Sequence, residues 1–258
     1  MSTLLLPAIS AEWIKRRRTF SHWMVIAGGF FIPSIICIVF LCYPDRYQSL
    51  QQSGHFWEHL IRKAWNMFSF FFLPMGVVLA VSLITQLEFR SVTWKQLQAT
   101  PASYPTIFFS KLIVLLLMLL QLFLLLNFGL LIAAFLPPLF YTDLSFPWYP
   151  FPVQYLVATN LHYYLFCIPL LLLQYLISLQ SRNFLIPIGT GLALVVFGMF
   201  VLSWRYAYLI PPAYTALYYI RSGQEQGLLK NLYLFSWIYS IIFLCSGYLL
   251  FVWKKDKS

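Results

Sequence analysis

The chain of 258 residues is 61% hydrophobic and only 9% charged, with a formal net charge of +10 and a mean hydropathy of +0.77. Ordinary soluble domains carry about 25% charged residues, so this composition excludes a soluble globular fold and points to a membrane protein. A nucleic-acid role is excluded as well, because the cations lie in short flanks of apolar segments and not on one basic face.

Before the first long apolar segment comes PAISAEWIKRRRTF, residues 7–20. Projected at about 100° per residue, Leu5, Leu6, Ile9, Trp13 and Phe20 share one arc, while Glu12, Lys15 and Arg18 lie on other sides. Arg16 interrupts the apolar stripe. Its stem is expected to lie along lipid while its head reaches phosphate. Pro7 suits a first helical turn. The segment therefore reads as an interfacial helix on the cytoplasmic leaflet, with a plain basic anchor as the simpler alternative.

Six segments, about 23–42, 66–86, 107–136, 154–180, 184–203 and 232–253, approach or exceed the roughly 20 residues that a helix needs to cross the hydrocarbon. Runs such as 112–120 lack the in/out alternation of a membrane barrel, so the fold class is an all-α, six-span membrane protein with one permease-like domain over 1–258. With the N-terminus inside, eleven of the 17 Lys and Arg residues fall on inner segments: Lys15, Arg16, Arg17, Arg18, Arg90, Lys95, Lys111, Arg182, Lys254, Lys255 and Lys257. Six fall outside: Arg46, Arg62, Lys63, Arg205, Arg221 and Lys230. That imbalance puts both termini in the cytoplasm.

The first outer segment contains HFWEH, residues 55–59. A zinc-binding HExxH helix needs the acid directly after the first histidine. Glu58 comes three residues after His55, so a solvated amphipathic segment is the better reading and no metal site is assigned. Between spans two and three stands EFRSVTWKQLQATP, residues 88–101. As a helix it would gather Phe89, Val92 and Leu97 on one arc and Glu88, Ser91, Lys95 and Gln98 on another. Trp94 falls at the border, and Pro101 and Pro105 stop it before span three. A reversal of direction needs about four residues; this connection uses some twenty, which predicts a short cytoplasmic surface helix with a polar face turned away from lipid. The later outer segment, FLPPLFYTDLSFPWYPFP at 135–152, with its five prolines, suits an irregular cap.

The four cysteines sit in or at the ends of apolar spans and read as small hydrophobes. Within the spans no acid or base lies deep, which argues against proton- or ion-coupled carriers and intramembrane proteases. The most ordered polarity is in span four, where Asn160, Tyr163, Tyr164, Cys167, Leu171, Gln174 and Ser178 align over five turns. Such a line packs against another helix or walls a substrate path; Gln121 and Asn127 on span three are candidate neighbours. Pro169 is expected to bend it. No GxxxxGK[ST] occurs, so the chain has no P-loop, and any energy-coupling ATPase is expected on another polypeptide.

The arrangement resembles the type-2 ABC transporter permeases, and is most similar to the lantibiotic-immunity and bacitracin-resistance permeases. The residues that carry the resemblance are AEWIKRRRTFSHW at 11–23 and EFRSVTWKQLQATPASYPTIFFSK at 88–111. It implies an exporter of an amphipathic or hydrophobic substrate, such as an antimicrobial peptide, in the bacterial cytoplasmic membrane. It implies a homodimer or a heterodimer with a similar permease on cytoplasmic ABC ATPase subunits, which bind ATP and Mg while this chain holds no cofactor and catalyses nothing. By the same resemblance Glu88, Ser91, Trp94, Lys95, Gln98 and Pro101 form the ATPase-coupling helix, and Glu12, Trp13, Lys15 and Arg16 belong to the elbow helix. The alternatives are a six-span enzyme or enzyme partner acting on lipid, and a stand-alone channel or carrier. An enzyme would need a His/Asp/Glu cluster at one interface, which only His55, Glu58 and His59 approach.

Overall fold

The computed structural model describes residues 5–17, 19–52, 54–90, 104–148, 150–181, 183–222 and 226–255. Helix α1 spans Leu5–Arg17 and α2 spans Phe20–Cys42. Two outer helices follow, α3 at Pro44–Gln52 and α4 at Phe56–Met67. A π-helical turn at Phe68–Phe72 joins α4 to α5, Leu73–Arg90. Helix α6 spans Tyr104–Phe135, a single turn α7 spans Pro137–Phe140, and α8 runs over Val153–Gln180. Helix α9 covers Leu185–Phe200. Three short 3-10 turns within 201–213 then lead to α10, Tyr214–Arg221, and α11, Gln226–Lys255.

Six of these helical stretches are long and apolar enough to cross a membrane: Phe20–Cys42, Phe56–Gln86, Pro105–Phe140, Val153–Gln180, Leu185–Ser203 and Leu229–Trp253. The protein is thus an all-α, six-span membrane protein. Pro105 sits in the first turn of α6, where its missing N–H costs nothing. Pro169 lies inside α8, which stays continuous across it.

The second span begins ten residues before the expected position 66. The cause lies in α4, whose buried Phe56, Trp57, Leu60, Ile61, Ala64 and Trp65 occupy one face, while Glu58, His59 and Arg62 hold the opposite one. Its mean apolarity is low although half of it is core. The π turn keeps that face in phase with the rest of the span. Buried pairs recur every three to four residues up to Phe68 and Ser69, then resume at Leu73 after a gap of one extra residue. Pro74, which has no N–H for the carbonyl of residue 70, stands two residues after the turn.

Helices α2 and α6 lie against each other along their length, as do α8 with both α5 and α11, while α9 packs on α5 and α1 on α6. Two glycines set the α2–α6 distance. A Cβ on Gly29 would meet Leu125 Cβ at 2.6 Å, and one on Gly129 would meet Pro33 Cβ at 2.7 Å. Small residues of this kind let backbones approach where lipid offers no hydrophobic drive to associate.

Candidate functional site

At the end of the bundle that carries both chain termini, α1 is held to α6 by charge. The Glu12 carboxylate accepts from Lys15 Nζ at 2.9 Å and from Lys111 Nζ at 3.0 Å, and the Lys111 side chain is only 3% exposed. Burial alone would push the Glu12 carboxyl up, but Lys111 and Lys15 together hold it below the ordinary carboxylate range.

Arg16 is also buried, at 2% exposure, and its head turns into the bundle and not out to lipid phosphate as expected. Its Nη2 donates to Gln121 Oε1 of α6 and contacts His22 Nδ1 at 3.4 Å, and its guanidinium lies 4.2 Å over the Trp13 ring. The reason is packing: α1 rests on α6, so the side of α1 carrying Ile9, Trp13 and Arg16 meets protein, while Leu6 and Phe20 remain 74% and 71% exposed. Desolvation, with a contribution from Arg17, pushes the Arg16 guanidinium down to about 10, which leaves it cationic at neutral pH. The polar group it needs inside the bundle is Gln121. Gln121 is thus engaged on the α1 side.

The α8 line is largely internal. Tyr163, Cys167, Leu171, Gln174 and Ser178 are buried, while Asn160 and Tyr164 are partly so. Asn160 and Asn127 join α8 to α6 through Asn127 Nδ2 donating to Asn160 Oδ1 at 2.8 Å. Tyr164 donates its hydroxyl to the Leu116 carbonyl at 3.1 Å. Gln174 Nε2 donates to Ser82 Oγ of α5 at 2.9 Å and to the Pro187 carbonyl of α9 at 2.6 Å. Each of these bonds ties α8 to a neighbouring helix.

At the opposite end Tyr163 enters a different setting. A cavity of about 370 Å³ opens between α4, the start of α8 and α10. Its rim carries His55, Glu58, His59 and Arg62 on one face of α4, with Tyr155, Tyr219 and Ser222 across from them. Its floor is made by Trp65, Thr159, Tyr163 and Tyr218, all buried. Trp65 stacks on Tyr163 at 3.7 Å between ring centroids, and Tyr218 meets Tyr163 edge-on at 4.9 Å. The Tyr218 hydroxyl lies 2.8 Å from His162 Nδ1. His55 Nδ1 approaches Glu58 at 3.7 Å. No group of three or more metal-ligating side chains occurs among the described residues. A second cavity, also about 370 Å³ and almost wholly apolar, lies between α2, the π turn with α5, and α6.

The expected coupling residues Ser91, Trp94, Lys95, Gln98 and Pro101 lie outside the described residues; Glu88 falls in the last turns of α5. Compared with known protein families, residues 8–201 match the ABC-2 family transporter protein profile. The match takes in α1 to α9, about three quarters of the chain. The chain belongs to the ABC-2 transporter family. Neither the curated proteins nor the solved structures contain a match to it.

As an ABC-2 permease the chain is a multi-pass membrane component of an ABC transporter, a class whose ATPase is a separate part. Sequence reasoning placed Tyr163 and Glu12 in candidate sites but missed their partners. Lys111 was read as a flank charge, and Trp65, Tyr155, Tyr218 and Tyr219 were not read as a site. The available signal was the aromatic density of 162–164 and 214–219. It becomes a site only when the fold brings α4, α8 and α10 together.

Proposed function

We propose that this ABC-2 permease is the membrane half of an exporter for an amphipathic or hydrophobic substrate of the antimicrobial-peptide kind, like the lantibiotic-immunity and bacitracin-resistance permeases it resembles. It works in the bacterial cytoplasmic membrane as a homodimer, or paired with a similar permease, on two cytoplasmic ATPases that bind ATP and Mg. The segment 88–101, with Glu88, Ser91, Trp94, Lys95, Gln98 and Pro101, docks on the ATPase and passes its closure to the spans as rigid-body movement.

The observation that carries this reading is the buried Glu12–Lys111 pair at 3.0 Å. Lys111 stands two turns into α6, the helix that directly follows the coupling segment. Any tilt imposed there reaches α1 through the ion pair and α2 through the glycine contacts, so three elements shift as one body. The substrate then passes through a membrane region whose walls are neutral and aromatic, as an apolar cargo requires.

Copurification with the ATPase, followed by ATP-driven transport in vesicles, tests the proposal. A Glu88→Ala, Lys95→Ala double variant is expected to keep the six-span fold and lose ATPase-dependent transport. Unchanged transport in that variant, together with a chain that never retains an ATPase on gentle solubilisation, overturns it.

A further inference from the structure

Independently of the export reading, we propose that the cavity between α4, α8 and α10 is a binding site for the zwitterionic phospho-ammonium headgroup of a membrane lipid. The proposal stands on the division of chemistry around its walls. Arg62 sits on the rim and forms no salt bridge among the described residues. Nearly one turn along α4, towards its buried face, the Trp65 indole Nε1 has no hydrogen-bond partner among the described residues. A guanidinium and an N–H donor spaced i, i+3 offer donors to the oxygens of one phosphate group.

The other walls suit a cation. Tyr163 and Tyr218 meet edge-on at the floor, with one face of Tyr163 covered by Trp65, and Tyr155 and Tyr219 add two rings nearer the rim. Aromatic walls of this kind hold ammonium groups through the ring quadrupole. Glu58, half exposed on the rim, supplies the matching negative charge. One acid and one obligate base around a single cavity favour a ligand that carries both signs over a simple anion or a simple cation.

Size and position choose a lipid head over a peptide. About 370 Å³ accommodates a small polar group and little more, near the lower end of ordinary ligand pockets. Apolar surface lies next to the cavity. Tyr219, anchored by Asn66 Nδ2 at 2.9 Å, packs on Phe70 at 5.8 Å, which lies deeper along the second span. Ile220 beside it is 42% exposed. An acyl chain has a path down that side while its head occupies the cavity.

Native mass spectrometry and tryptophan-fluorescence titration of the purified full chain in detergent test this, using three lysophospholipids with one common acyl chain. Those bearing phosphocholine or phosphoethanolamine heads are expected to bind saturably, and their ratio reports which ammonium is preferred. The phosphoglycerol analogue, with phosphate but no ammonium, is expected to bind at least about tenfold more weakly. Glu58→Gln should remove most of that preference and Arg62→Ala should weaken all three lipids together, both positions being solvent-exposed, whereas Arg46→Ala on α3 should do neither. Equal binding of all three lipids, a preference untouched by Glu58→Gln, or affinities untouched by Arg62→Ala overturns the proposal. So does a saturable change in tryptophan fluorescence with a cationic amphipathic peptide under conditions where no zwitterionic lipid gives one.

Discussion

The two ends of this permease place their acidic and basic side chains differently. At the end bearing the termini, Glu12 is enclosed by two lysines and Lys111 is almost fully buried, so this charge is answered within the protein. At the other end Glu58 and Arg62 stand on an open rim, and Trp65 keeps an indole N–H with no partner among the described residues. A closed network transmits position, because its members cannot exchange partners cheaply in a low-dielectric setting. An open one leaves hydrogen-bonding capacity for something that arrives from outside.

The contrast can be broken most severely at the closed end. Glu12→Ala leaves Lys111 buried without its carboxylate, and a loss on the order of 3 kcal/mol is expected in thermal unfolding of the purified permease. Adding Lys111→Met should restore most of it, since an apolar side chain needs no partner. No comparable recovery would mean that the pair positions α1 in some further way.

Gly129→Leu comes next. It forces α2 and α6 apart against Pro33, and overpacking of this kind costs about 1–3 kcal/mol. The cavity walls come from α4, α8 and α10 and include no residue of α2 or α6. Lipid-head binding should therefore survive a variant that loosens the α2–α6 contact, and its loss would show that this contact supports the cavity.

Acid offers a gentler probe. The Glu12 carboxyl is depressed in the folded state, so its contribution is fully present above the unfolded value of 4.5 and fades as pH falls through the folded one. Melting temperature measured from pH 7 downwards should begin to drop below about 4.5, and a Glu12→Gln chain should lose this component of the drop. The smallest expected effect is at the open end: Arg62→Ala should change stability by less than about 0.5 kcal/mol, because Arg62 is exposed and forms no ion pair among the described residues.

Much of the architecture was legible in the sequence because a bilayer imposes its thickness on each span: the six segments, the basic helix before the first, and the proline-rich outer cap all appear. The second span's first turns were hidden because α4 shows water its His55, Glu58, His59 and Arg62 face, which averages away the buried Trp57, Leu60 and Trp65. Arg16 was misread because a projection of α1 alone contains no α6, and the choice between phosphate and Gln121 depends on which neighbour is there. The line Asn160 to Ser178 was visible as a line. What it touches was not, since Asn127, Ser82 and the Pro187 carbonyl come from three other helices. The outer cavity was least legible, its floor being assembled from residues 65, 163 and 218, which share no local pattern.

The π turn at Phe68–Phe72 has a consequence for how this gene can change. It holds one residue more than a regular helix would, and each residue advances a helix by about 100°. Deleting any one of the five would restore an ordinary helix while rotating α4 by that angle relative to α5. Trp65 would leave the cavity floor, and Glu58 and Arg62 would swing off its rim, with no change in hydrophobicity or in the number of spans. Insertions and deletions in this five-residue window are therefore expected to be eliminated by selection far more stringently than substitutions at the same positions.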